Sequence, residues 1–138
     1  MNKASKLGFA LIPNMVDTKA PLLYRISTES GPNASLTTIY VGQTRNGCDR
    51  PFRRYDLNLR RLLEGKPPLN GKQYRPVIYD LRAAYTAGHK ISIELVRNVD
   101  LSFECITDAE RQLQEEHGVE PIGKTERRML NAYGRPNL

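Results

Sequence analysis

Two strand-like runs near the N-terminal end do most to limit the fold. Leu22–Thr28 (LLYRIST) and Leu36–Val41 (LTTIYV) are rich in β-branched and aromatic residues. The stretch between them, Glu29–Ser35 (ESGPNAS), is dense in turn formers. Two strands joined by so short a polar loop read as a β-hairpin. Such a pair needs a third strand and a helical cover to be stable.

The rest of the chain supplies both. From Asp49 the apolar period changes, with Phe52, Tyr55, Leu59 and Leu62 forming one helical stripe and Arg53, Arg54, Arg60 and Arg61 largely off it. Asp49 is the expected cap, Pro51 suits the first turn, and Gly65 ends the helix. Lys66–Lys72 (KPPLNGK) reads as a loop, followed by a second helix from Pro76 to Ala87 with Val77, Ile78, Leu81 and Tyr85 as its apolar face. Ile91, Ile93 and Leu95 alternate with polar residues and give a third strand. Thr107-Asp108-Ala109-Glu110 matches a capping box and opens another helix that Gly118 closes. A last short helix is expected over Thr125–Leu130. The reading is an α+β fold: a small three-stranded antiparallel sheet flanked by helices, with residues 1–20 as an N-terminal arm or short helix and 21–138 as a single domain.

The balance of 21 Lys and Arg against 15 Asp and Glu leaves a net charge of +6, which favours a polyanionic partner. No apolar run approaches the roughly 20 residues that span a bilayer. Pro13 and Asn14 interrupt the apolar stretch of the N-terminus, so it does not read as a signal peptide. Cys48 and Cys105 match no metal spacing and read as free thiols in a reducing compartment. A cytoplasmic protein is expected.

The chemistry-bearing residues come at a telling spacing. Leu22-Leu23-Tyr24 is followed by Tyr40-Val41-Gly42, then by Arg50 ten residues beyond Tyr40, then by Glu110 and by Leu130-Asn131. This order resembles the GIY-YIG nuclease superfamily over roughly residues 22–131, and resembles its small stand-alone phage and restriction-type members most. YVGQT after a hairpin, with Arg50 at +10, carries the resemblance. In the first motif Leu22 and Leu23 stand for Gly and Ile.

The resemblance implies a metal-dependent DNA endonuclease. Tyr24 would be the general base or water-orienting group, Tyr40 a phosphate or water contact, and Arg50 the cation on the phosphate. Glu110 would hold Mg²⁺ (or Mn²⁺), and Gly42 would let a backbone approach closely. The family places a His or Tyr about four residues after the arginine. Here +4 is Arg54 and +5 is Tyr55, so either Tyr55 serves or that position is replaced and Tyr55 is core. Gln43, Arg53, Arg54, Arg60, Arg61 and Asn131 complete the expected nucleic-acid contacts. Glu110 has a rival task in the capping box, with Glu115 and Glu116 as alternative carboxylates, while His89 and His117 match nothing.

Hydrolysis of a phosphodiester needs an oriented water and positive charge where negative charge grows, and arginine grips two phosphate oxygens at once. The expected partner is DNA. Specificity would come from loops, the insert Leu57–Gln73, or homo-oligomerisation. The alternative is a catalytically decayed module of the same fold that binds nucleic acid or a protein partner.

Overall fold

Four strands build one mixed sheet in the order β1-β4-β2-β3: β1 (Ala10–Ile12), β2 (Leu22–Glu29), β3 (Thr37–Thr44) and β4 (Lys90–Asn98). The structure is a computed structural model that describes residues 5–69 and 71–119. β2 pairs antiparallel with both β3 and β4, as the hairpin and the third strand predict. The expected three-stranded antiparallel sheet is corrected by β1, which pairs parallel with β4 from Ala10↔Ser92 to Ile12↔Glu94. Part of the N-terminal arm is therefore an edge strand. Three residues cut off by Pro13 are too short to show a period, and their partner lies far along the chain. Asn14 then turns back, its side-chain amide donating to Glu94 Oε2 at 2.8 Å and to the Leu95 carbonyl at 3.1 Å.

Alternation along the strands gives the sheet two apolar faces. Leu22, Tyr24, Ile26, Ile93 and Leu95 pack with α1 (Asp49–Leu63) and α2 (Pro76–Thr86). Leu23 and Val41 on the other face pack with Ile106, Ala109 and Leu113 of α3 (Ile106–Glu116). Helices thus cover both sides of the sheet. The α1 stripe is as expected, with Phe52, Tyr55 and Leu59 buried. On α2 the buried set is Val77, Ile78, Leu81 and Ala84, whereas Tyr85 is exposed.

Caps differ from expectation. Cys48, not Asp49, is the N-cap of α1, and Asp49 lies in the first turn, where an acid favours the helix dipole. The C-terminal turn closes with Gly65 N donating to Leu62 O and Lys66 N to Arg61 O, a left-handed glycine stop. Cys105 is the N-cap of α3 and no side chain caps it, so the Thr107–Glu110 capping box does not form. The helix expected over residues 125–130, and Asn131, lie outside the described residues. Among the described residues no helix is long and apolar enough to cross a membrane.

Candidate active site

Three tyrosines from three elements meet at the end of the sheet. Tyr24 on β2 pairs with Gly42 on β3, while Tyr40 pairs with Ile26, so the two tyrosines are diagonal neighbours on one face. Tyr55 comes over them from α1. The ring centroids form a nearly equilateral triangle of 6.2, 6.1 and 6.2 Å. All three residues are buried. The Tyr24 and Tyr55 hydroxyls are 2.7 Å apart in one hydrogen bond. The ring of Tyr55 is thus core, and its hydroxyl is bonded to that of Tyr24.

Gly42 is the floor of this triangle. A Cβ there would lie 2.6 Å from Tyr24 Cζ and Oη and 2.7 Å from Tyr40 Cε2. The close approach that the sequence reading gave to a substrate backbone is taken by two tyrosine rings.

A cleft of about 370 Å³ opens beside the triangle, lined by Tyr24, Tyr55, Gln43, Arg50, Arg54 and Arg75 among others. The start of α1, which carries Arg50, is held by Thr44 Oγ1 donating to Gly47 O at 2.8 Å and Cys48 N donating to Thr18 O at 2.9 Å. Arg54 follows Arg50 by four residues and shares its helix face. The far wall is the loop between α1 and α2. It is pinned by the Arg61 guanidinium on the Pro67 carbonyl (3.1 and 2.8 Å) and by the Tyr74 hydroxyl on the Lys66 carbonyl (2.6 Å).

Arg75 is the site residue that the sequence reading missed. It precedes Pro76 in extended conformation and caps α2. Its Nη2 donates to the Tyr40 hydroxyl at 2.5 Å, and its Cζ lies 5.2 Å and 5.7 Å from the Tyr40 and Tyr55 ring centroids. Tyr40 itself does not line the cleft. The cation above it does. Nothing local marks Arg75 among the arginines of the chain; only the packing of α2 over β3 brings it here.

Glu110 approaches from the other side of the sheet. The edge strand β3 makes this possible, since Gln43 lines the cleft and also donates to Glu110 Oε1 at 2.8 Å. Among the described residues Glu110 Oε2 has no protein partner. Desolvation pushes the carboxyl above its usual range, against the hydrogen bond from Gln43 and the charges of Arg75 and Arg111. Glu115 and Glu116 are exposed farther along α3 and do not line the cleft. Among the described residues no three His, Cys, Asp or Glu groups cluster as a metal cage.

Burial, reinforced by the neighbouring phenols, holds Tyr24 well above the ordinary tyrosine pKa, with Arg75 opposing. Tyr40 is raised by burial and by Tyr55, again against Arg75, with Glu110 adding to the rise. Both phenols are protonated at neutral pH.

The basic residues of α1 do not act together. Arg53 lines a separate hollow with Lys6, Phe52 and Leu57. Arg60 is paired with buried Asp56 at 2.7 Å. Arg61 is the loop pin described above. Only Arg50 and Arg54 reach the cleft. His117 lies away from it, with Nδ1 3.2 Å from Arg25.

Compared with known proteins, the chain matches no family model, no curated protein and no solved structure.

Proposed function

We propose that the chain is a metal-dependent DNA endonuclease of GIY-YIG type that hydrolyses phosphodiester bonds. One observation carries the reading. Tyr24, Arg50 and Tyr55 line one cleft, and Tyr40 and Glu110, placed outside it, are hydrogen-bonded to its lining residues Arg75 and Gln43; among the described residues that lining includes arginines and no carboxylate. A cleft of that charge suits a phosphate ester better than a neutral or cationic ligand.

The roles follow from the surroundings of each group. Arg50, exposed at the first turn of α1, is the cation placed to meet charge that grows on a phosphoryl oxygen. Tyr24 acts as a neutral phenol. Burial disfavours its phenolate, so it orients a water through its hydroxyl, and Tyr55 fixes that hydroxyl's direction. Tyr40 does not line the cleft while Arg75, which donates to its hydroxyl, does, so contact with phosphate passes from Tyr40 to the guanidinium above it. Glu110 fits a Mg²⁺ site of the sparse kind, in which one carboxylate is joined by waters and substrate oxygens. The cation would supply charge neutralisation at the phosphate. Raised by desolvation, the carboxyl gains from a cation partner.

Nicking of supercoiled plasmid with Mg²⁺ or Mn²⁺, against the same mixture with EDTA, tests this reading. Cleavage that the chelator abolishes is expected. DNA binding without cleavage in either metal would replace it with the decayed nucleic-acid-binding module.

A further inference from the structure

Arg50, Arg54 and Arg75 line the cleft, and among the described residues no Asp or Glu lines it with them. Arg50, Arg54 and Asn58 stand at i, i+4 and i+8 of α1 and all face the cleft. They form one row along the helix, with members about 6 Å apart. Arg50 and Arg54 make no hydrogen bond or ion pair among the described residues. Arg75 faces the row from the start of α2, held by the Tyr40 hydroxyl and the rings of Tyr40 and Tyr55.

The neighbouring cations are committed elsewhere: Arg60 to Asp56, and Arg61 to Pro67. Arg53 differs from Arg54 by one position but lies on the other side of the helix, in a hollow that Asp56 also lines. Among the described residues, the cleft thus holds positive charge in one row and the arginine opposite it, with no carboxylate in its lining.

Resting on the nuclease reading for its choice of ligand, we propose that this row takes the backbone of one DNA strand along α1. Arg50 meets the phosphate to be cut. Arg54 and Arg75 together grip the next phosphate, and Asn58 lies beyond. Arg75 needs little ordering on binding, because its guanidinium is already fixed on Tyr40.

The test is the salt dependence of binding to a short fluorescent duplex in EDTA, so that no cleavage is required. Parent, Arg53→Gln, Arg54→Gln and Arg75→Gln are compared between 50 and 200 mM salt. Each lost phosphate contact flattens the slope of log K against log salt by about 0.9. Arg54→Gln and Arg75→Gln should each show that loss, and Arg53→Gln should keep the parent slope. Arg75 also holds Tyr40, so its variant is checked by circular dichroism; if it does not fold, Arg54 against Arg53 decides alone. Equal slopes for the Arg53 and Arg54 variants, or no DNA binding by the parent, overturns the proposal. The predicted pattern in a chain that never cuts would refute catalysis and leave the strand path standing. Cutting with equal slopes would do the reverse.

Discussion

Replacing Gly42 by alanine puts a methyl carbon where two tyrosine rings already stand. The new atom would sit 2.6 Å from Tyr24 Cζ and Oη and 2.7 Å from Tyr40 Cε2, against an optimal separation of about 3.5–4.0 Å. Each ring must therefore retreat by about 1 Å. Tyr24 borders the cleft, but both rings are buried and each packs on Tyr55, which resists the shift. The backbone of Gly42 is not in the left-handed region, so the demand for glycine is spatial alone. Overpacking of this kind costs about 1–3 kcal/mol. A shift of that size also breaks the 2.7 Å Tyr24–Tyr55 hydrogen bond, worth about 0.5–1.5 kcal/mol. Gly42→Ala should thus lose about 2–4 kcal/mol by urea denaturation. Cleavage should fall more than DNA binding, because Arg50 and Arg54 stand on α1 and do not rest on Gly42, although Arg75 rests on Tyr40. An alanine variant within about 0.5 kcal/mol of the parent, the range of a neutral surface change, with full activity would refute the packing argument.

Other outcomes follow from the same geometry. Arg50→Ala should fold and bind DNA while its turnover falls by on the order of 10²-fold; single-turnover cleavage beside anisotropy checks this. Tyr24 and Tyr40 have folded pKa values raised above the unfolded value of about 10. The folded state then keeps protons that the unfolded chain releases, so stability is intact below pH 10 and lost above about pH 10. Urea midpoints from neutral to alkaline pH test it, and Tyr24→Phe should weaken the dependence. At the acid end, burial of Asp56 opposes its charge, but hydrogen bonds from Ser5, Arg60 and the Leu7 amide prevail and lower its pKa. Its stabilisation is present above the unfolded value of about 4 and lost as pH falls through the lower folded value. Asp56→Asn should be less stable at neutral pH and flatter toward acid.

The hairpin, the α1 stripe and the alternation in β4 were legible because each is a local period with a turn or glycine stop beside it. β1 was not, since Ala10–Ile12 is held by a partner some eighty positions away. The capping box failed for a related reason. Its residues have the right local spacing, yet the chain enters helix two residues early, at Cys105, and Glu110 is turned toward Gln43 on the sheet. Tertiary packing overrode a local rule. Tyr24, Tyr40, Arg50 and Glu110 were named from their order along the chain, whereas Arg75 belongs to the cleft only through the docking of α2. Among the arginines of α1, Arg60 follows Asp56 by four residues, a pair that was open to reading from sequence. The Arg61 contact with a loop carbonyl was not.

Glu110→Gln tests the central claim most directly. Glutamine keeps the shape and can still accept from Gln43, but it lacks the negative charge that a hard cation requires. No cap is lost, because Glu110 does not cap α3. The folded protein also no longer bears the cost of ionising a desolvated carboxyl. The variant should therefore melt no lower than the parent and bind DNA at least as well, yet fail to nick plasmid in Mg²⁺. A glutamine variant that cuts at the parent rate with the parent's metal dependence would contradict the assignment of this cleft as a metal-dependent nuclease site.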